Sequence, residues 1–170
     1  MLNENLQEIF DKYKKKDWLS GNFIPPEEKE KYKIMFIGEK PAKYFIRNPH
    51  LRHLGNYNAT CNDIVFHYFL KKYKLGKVYV TDMVKIEGEP GADFIKEWNS
   101  SFKECLKEEI NYYKPKLIIF LSKKVEYLFN KEFNRLNIKK MRIYSPAYIC
   151  ISNKRHEWDK QFEELKKKLK

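Results

Sequence analysis

The run Ile34-Met35-Phe36-Ile37 is apolar at every position and then breaks abruptly into Gly38-Glu39-Lys40-Pro41. A strand with one wet face alternates apolar and polar residues. An unbroken apolar run belongs to a strand covered on both faces, the usual condition inside a parallel sheet. Lys116 to Leu121 has the same character, Leu-Ile-Ile-Phe-Leu after a lysine. A chain holding two such strands must supply helices to cover both sides of the sheet they form.

The segments between these strands do so. Residues 3–15 carry Leu6, Ile9, Phe10 and Tyr13 at helical spacing. Trp18 and Phe23 follow in a short linker, and Pro25-Pro26 stops regular structure before the charged stretch Glu27 to Lys31. The opening strand is Lys33 to Ile37. Residues 39–58 are too long for a plain connector, and long ordered loops are often functional. A helix is expected over 59–73, capped by Thr60 or Asn58, with Cys61, Ile64, Val65, Tyr68 and Phe69 on one face and Gly76 ending it. Lys77 to Thr81 reads as a second strand, with Asp82 just past its end. The next helix is expected over 92–113, its stripe running from Phe94 and Ile95 through Trp98, Phe102, Cys105, Leu106 and Ile110 to Tyr113. Pro115 breaks it. After the third strand Ser122 caps a short helix, Lys140 to Tyr144 forms a fourth strand ended by Ser145-Pro146-Ala147, and a last helix over 155–169 buries Trp158, Phe162, Leu165 and Leu169.

Strands alternating with helices predict an α/β fold, a parallel sheet with right-handed crossovers and helices on both faces. Ligands of such sheets bind outside the carboxyl ends of the strands. That rule gathers Gly38-Glu39-Lys40-Pro41, Thr81-Asp82, Ser122 and Ser145-Pro146-Ala147-Tyr148 at one edge.

Composition narrows the partners. The 170 residues fit one domain, and the formal charge of +12, from 35 basic and 23 acidic side chains, suits a polyanion such as nucleic acid. The plainer alternative is a lysine-rich surface that only solvates helix faces. Three scattered cysteines, Cys61, Cys105 and Cys150, without a CxxC pair suit reduced thiols in a cytoplasmic protein. No signal segment or membrane span is visible, and no cofactor or metal is expected. His50 and His53 near Cys61 lack a fourth ligand at a supporting spacing.

Four segments, in order, resemble the uracil-DNA glycosylase superfamily. Ile34 to Pro41 is similar to its apolar strand ending in Gly-(Glu or Gln)-x-Pro. Val78-Tyr79-Val80-Thr81-Asp82-Met83-Val84-Lys85 resembles its second strand, which reads Val-Tyr-(Ile/Val)-Thr-Asn-x-Val-Lys. Lys114-Pro115 and the strand after it resemble the third, and Ser145-Pro146-Ala147-Tyr148 stands where the family has His-Pro-Ser-Tyr. The resemblance spans roughly 33–169. It implies a single domain over 1–170, with residues 1–30 an N-terminal helix and linker, and a three-layer α/β/α fold around a central four-stranded parallel sheet. It also implies binding of DNA, flipping of a base and hydrolysis of its N-glycosidic bond at the carboxyl edge, and the chain is expected to be a monomer.

The departures from the pattern are chemical. Asp82 replaces an Asn whose amide reads the uracil edge with one donor and one acceptor; an ionised carboxylate only accepts, so Asp82 suits a base that presents donors. Ser145 replaces the His that donates to the leaving base, and a neutral hydroxyl is a weaker electrostatic partner. Lys40 follows Glu39, and the four-cysteine cluster of one subfamily is missing.

Glu39 is the carboxylate expected to direct water to the anomeric carbon, with capping or pairing to Lys40 or Arg142 as its plain alternative. Asp82 and Ser145 complete the catalytic set. Gly38, Lys40, Pro41, Phe45, Tyr57 and Asn58 are expected to line the base pocket, with Tyr44 and Asn56 also in the loop. Lys40 could neutralise Glu39, meet a phosphate, or form a Schiff base, the last being the least favoured. Lys43, Arg47, Arg52, Asn153, Lys154 and Arg155 are expected on the DNA side. Two other readings stand beside the glycosylase: a non-catalytic nucleic-acid or nucleotide binder on the same fold, motivated by Asp82 and Ser145, and an enzyme acting on a free nucleoside or nucleotide.

Overall fold

The computed structural model describes residues 8–9, 12–13, 22–24, 32–41, 61–86 and 93–169. Its centre is the apolar run expected to be doubly covered. Strand β2 (Ile34–Gly38) is buried at all five positions, as is β3 (Val78–Asp82), and β4 (Leu117–Phe120) is buried at all four. β2 pairs in parallel with β3 on one side and β4 on the other, and β4 pairs in parallel with β5 (Lys139–Arg142). β5 is exposed at two of its four positions, as an edge strand tolerates, and its lysines and arginine discourage pairing with another chain.

A fifth strand, β1 (Asn22–Ile24), lies antiparallel along the other side of β3, so the order is β1-β3-β2-β4-β5. The sequence reading leaves this segment as linker. Three residues are too few for a periodic signal, and the partner's exposed edge determines the pairing.

The helices are α1 (Cys61–Lys72), α2 (Phe94–Glu97), α3 (Ser100–Tyr113), α4 (Lys123–Glu132), α5 (Pro146–Ser152) and α6 (Arg155–Lys168). Glu8, Ile9, Lys12 and Tyr13 are also helical, and Ile9 and Tyr13 pack on the core. The two faces of the sheet build two cores. Met35, Ile37, Tyr79, Ile118 and Phe120 point to α3 and α4, meeting Phe102, Leu106, Ile110 and Phe129. Ile34, Phe36, Val78, Val80, Leu117 and Ile119 point the other way, to Phe66 and Phe69 of α1 and Trp158, Phe162 and Leu165 of α6. Successive residues of each strand alternate between these cores, as the pleat requires. The chain crosses from β3 to β4 past β2, and the covering helices change face there, which is the doubly wound arrangement of a three-layer α/β/α fold.

Local chemistry corrects several expected boundaries. The helix expected over 92–113 is two. Asp93 caps α2, which ends after one turn, and the Asn99 side chain accepts the Ser101 and Phe102 amides to start α3 afresh. The apolar stripe runs through the break, so periodicity alone does not reveal it. α1 closes with Lys74 in the left-handed region at φ 52° and with the Leu75 amide donating to Leu70 O at 3.1 Å. Gly76, at φ 73°, turns the chain one step later. The segment after Ser145 is a helix rather than an open motif loop. Pro146 takes the first helical position, where its missing N–H costs nothing, and Asn153 ends α5 at φ 52°. No helix among the described residues is long and apolar enough to cross a membrane.

Candidate functional site

The parallel strands deliver their ends together. Ladder bonds continue past β2 and β3, with Met83 N donating to Gly38 O and Val84 N to Glu39 O, each at 3.0 Å. Leu121 N donates to Ile37 O and Ile143 N to Phe120 O, each at 3.0 Å, which fixes the exits of β4 and β5 at the same edge. Gly38, Asp82, Ser122 and Ser145 therefore share the carboxyl edge of the sheet, where the sequence places the site.

Gly38 and Asp82 are register partners. The Asp82 side chain lies across the glycine. A Cβ built at Gly38 would overlap Asp82 Oδ1 and stand 3.4 Å from Cγ. Only glycine leaves room for that carboxylate, which is 8% exposed. Asp82 is the last residue of β3 rather than the first beyond it, and it continues the parity of Val78 and Val80, toward α1 and α5. Glu39, next in the chain after Gly38, is half-buried. Among the described residues its carboxylate has no hydrogen-bond or ion-pair partner.

Lys40 does not neutralise Glu39. Its ammonium meets both carboxylate oxygens of Glu97 on α2, at 2.6 and 2.7 Å, with the lysine side chain only 9% exposed. The bond ties the loop after β2 to the helix after β3. Arg142, the other plain partner considered for Glu39, pairs with Glu126 at 3.1 Å.

Behind Asp82 lies a cluster that the sequence reading leaves out. The Lys85 ammonium, 1% exposed, donates to the Asp82 carbonyl and to Thr81 Oγ1, both at 2.6 Å, and to Glu109 Oε2. Glu109, fully buried on α3, also accepts from Tyr79 OH at 2.6 Å and Thr81 Oγ1 at 2.7 Å. Burial, and then the charge and hydrogen bond of Glu109, hold the Tyr79 phenol well above its usual range. Burial, followed by Glu109, pushes the Cys105 thiol up to about 12. A charged pair this deep is tolerated because every strong acceptor and donor in it is engaged. Its effect is to clamp the backbone that presents Asp82. The available signal is Glu109 itself, a carboxylate beside the apolar stripe residues Cys105, Leu106 and Ile110.

Ser145 caps α5, its Oγ accepting the Tyr148 amide at 3.2 Å, while the hydroxyl keeps its own proton to donate. Ser122 caps α4 through the Val125 amide, also at 3.2 Å. Beside Ser145 stand Tyr144 and Tyr148, each 40% exposed, with ring centroids 4.8 Å apart. The Lys154 ammonium lies 5.6 Å from the Tyr148 ring centroid and donates to its hydroxyl at 3.2 Å. That contact raises the Lys154 pKa. Ile151 is 87% exposed on the same helix. Asn153, Lys154 and Arg155 are exposed at the α5–α6 junction. The aromatic pair and Ile151 are further candidates that the sequence reading passes over in favour of the loop aromatics.

Pro41 is buried at the start of the long loop. Lys43, Tyr44, Phe45, Arg47, His50, Arg52, His53, Asn56, Tyr57 and Asn58 lie outside the described residues. Cys105 is a buried free thiol. No group of three or more histidine, cysteine, aspartate or glutamate side chains among the described residues is arranged to hold a metal ion.

Comparison of the chain with models of known protein families gives no match, and comparison with curated proteins gives none either.

Proposed function

We propose that the protein is a DNA glycosylase of the uracil-DNA glycosylase type that excises a base other than uracil. The observation that carries the reading is the carboxylate of Asp82 lying across Gly38 at the carboxyl edge, with Glu39 the next residue along. In the proposed reaction Glu39 takes a proton from water as the water oxygen bonds to the anomeric carbon. The C–N bond breaks and its electron pair leaves with the base. Asp82 accepts from a ring N–H or exocyclic amino group of that base. The Ser145 hydroxyl, at the N-terminus of α5, donates toward the departing charge.

The flanking surface supports a nucleic-acid substrate. Tyr144 and Tyr148 offer exposed rings for stacking, and Lys154 and Arg155 offer cations for phosphate. Exposed Ile151 is an apolar wedge of the type that fills the gap left by a flipped base.

The test is base release from single- and double-stranded DNA carrying uracil, hypoxanthine, xanthine or other deaminated bases. The expected result is an abasic product from at least one of the non-uracil substrates, lost in Glu39→Ala and in Asp82→Ala. Absence of abasic product across the panel from folded protein overturns the reading.

One observation favours a binding protein instead. Ser145 Oγ is engaged as a helix cap, which leaves it less free than the catalytic histidine it replaces. Salt-dependent DNA binding without base release would select that reading.

A further inference from the structure

A concavity lies at the other end of the sheet. It has a volume of about 680 Å³ and sits at the amino ends of β2, β4 and β5, beside the last turn of α6. Four lysines line it: Lys33 before β2, Lys116 before β4, Lys139 opening β5 and Lys168 closing α6. Among the described residues no carboxylate lines it. Lys168 pairs with Glu164 at 3.1 Å, whereas Lys33, Lys116 and Lys139 have no carboxylate partner among the described residues.

Four cations brought round one hollow repel one another, and an anion in the hollow relieves that repulsion. Lysine ammoniums suit phosphate oxygens as mobile point charges. The floor is not charged. Tyr32, Leu117, Ile138 and Leu169 supply an aromatic and apolar surface, and Asn137 supplies an amide. A fifth ammonium, Lys166, lies 5.4 Å from the Tyr32 ring centroid. The volume falls within the roughly 300–1,000 Å³ typical of small-molecule sites. The cations converge on a concavity from three strand starts and a helix end, instead of lining a ridge that a long backbone could follow.

We infer that this amino-edge hollow binds a nucleotide-sized organic polyphosphate, with the phosphates on Lys33, Lys116 and Lys139 and the base or sugar against Tyr32 and Ile138. The inference is independent of the proposed glycosylase chemistry, which lies at the opposite edge.

ATP titrated into the full chain by calorimetry tests it, with AMP and a short single-stranded oligonucleotide as comparison probes. Saturable ATP binding is expected, weaker for AMP and weakened by added salt. Lys33→Glu with Lys139→Glu should reduce ATP affinity by at least about tenfold. Lys71→Glu with Lys124→Glu, exposed lysines elsewhere with the same change in net charge, should leave it within about twofold. Thermal melting by circular dichroism confirms that both double variants fold. Failure of ATP to saturate, or equal loss in the two variants, overturns the inference. Oligonucleotide binding at these lysines in preference to ATP also overturns it, in favour of a nucleic-acid groove.

Discussion

The Asp82 carboxylate occupies the space that a side chain at residue 38 would need, and the two residues are register partners across β2 and β3. Gly38→Ala therefore forces Asp82 off its position. A cost of about 1–3 kcal/mol is expected, as for overpacking in a tight site. Adding Asp82→Ala should recover much of that loss, so urea denaturation of the two single variants and the double variant should show strong coupling. Additive losses would mean that Asp82 does not rest on Gly38. The proposed base release should not recover in the double variant, because the carboxylate itself is gone.

The Lys85–Glu109 pair gives a second expectation. Lys85→Met leaves the Glu109 carboxyl buried with only hydroxyl donors, and Glu109→Leu strands the Lys85 amine. Each should cost about 3–5 kcal/mol, while the double variant should lose far less than the sum. Denaturant midpoints of the three proteins measure this. If the pair also clamps Asp82, a refolded double variant with normal stability should still show weakened substrate turnover, because Lys85 no longer holds the Asp82 carbonyl.

Acid sensitivity near neutrality should trace to His67. It is buried on α1, and burial lowers its pKa below the ordinary 6.5. In the window below 6.5 the unfolded chain binds a proton that the folded chain refuses. Stability therefore falls as pH drops through 6.5, until the folded-state pKa is reached. His67→Phe should flatten the dependence of the urea midpoint on pH in that window. Glu108 acts lower down. Hydrogen bonds from Lys12 and then Tyr13 hold its pKa below 4.5, so its contribution is lost only as pH falls below that value.

The doubly covered strands were legible because burial on two faces leaves no polar position to interrupt Ile34 to Ile37 or Leu117 to Leu121. The carboxyl-edge cluster followed from topology, since parallel strands must all end on one side. What stayed hidden depended on contacts distant in sequence. β1 exists because β3 offers an edge, and three residues carry no period of their own. The break at Asn99 depends on one side-chain cap inside a continuous apolar stripe. Lys40 looks like a partner for Glu39 in the sequence, yet it reaches Glu97, 57 residues away. Likewise the Lys85–Glu109 pair joins a strand exit to a helix whose facing is known only once the layers are assembled.

Ser145 has two possible duties, and substitutions can separate them. As the α5 cap its oxygen accepts the Tyr148 amide, so Ser145→Ala should cost about 0.5–2 kcal/mol of stability. Aspartate caps as well as serine and its charge suits a helix N-terminus. Ser145→Asp should therefore keep the thermal midpoint close to that of the parent protein. It removes the hydroxyl donor, however, and places negative charge where, in the proposed reaction, the departing base gathers its own. Asparagine caps too and retains N–H donors. If Ser145 assists base departure, single-turnover rates should fall in the order Ser, Asn, Asp, while the melting temperatures of the three stay together. Rates that instead track melting temperature would confine Ser145 to its role as a cap.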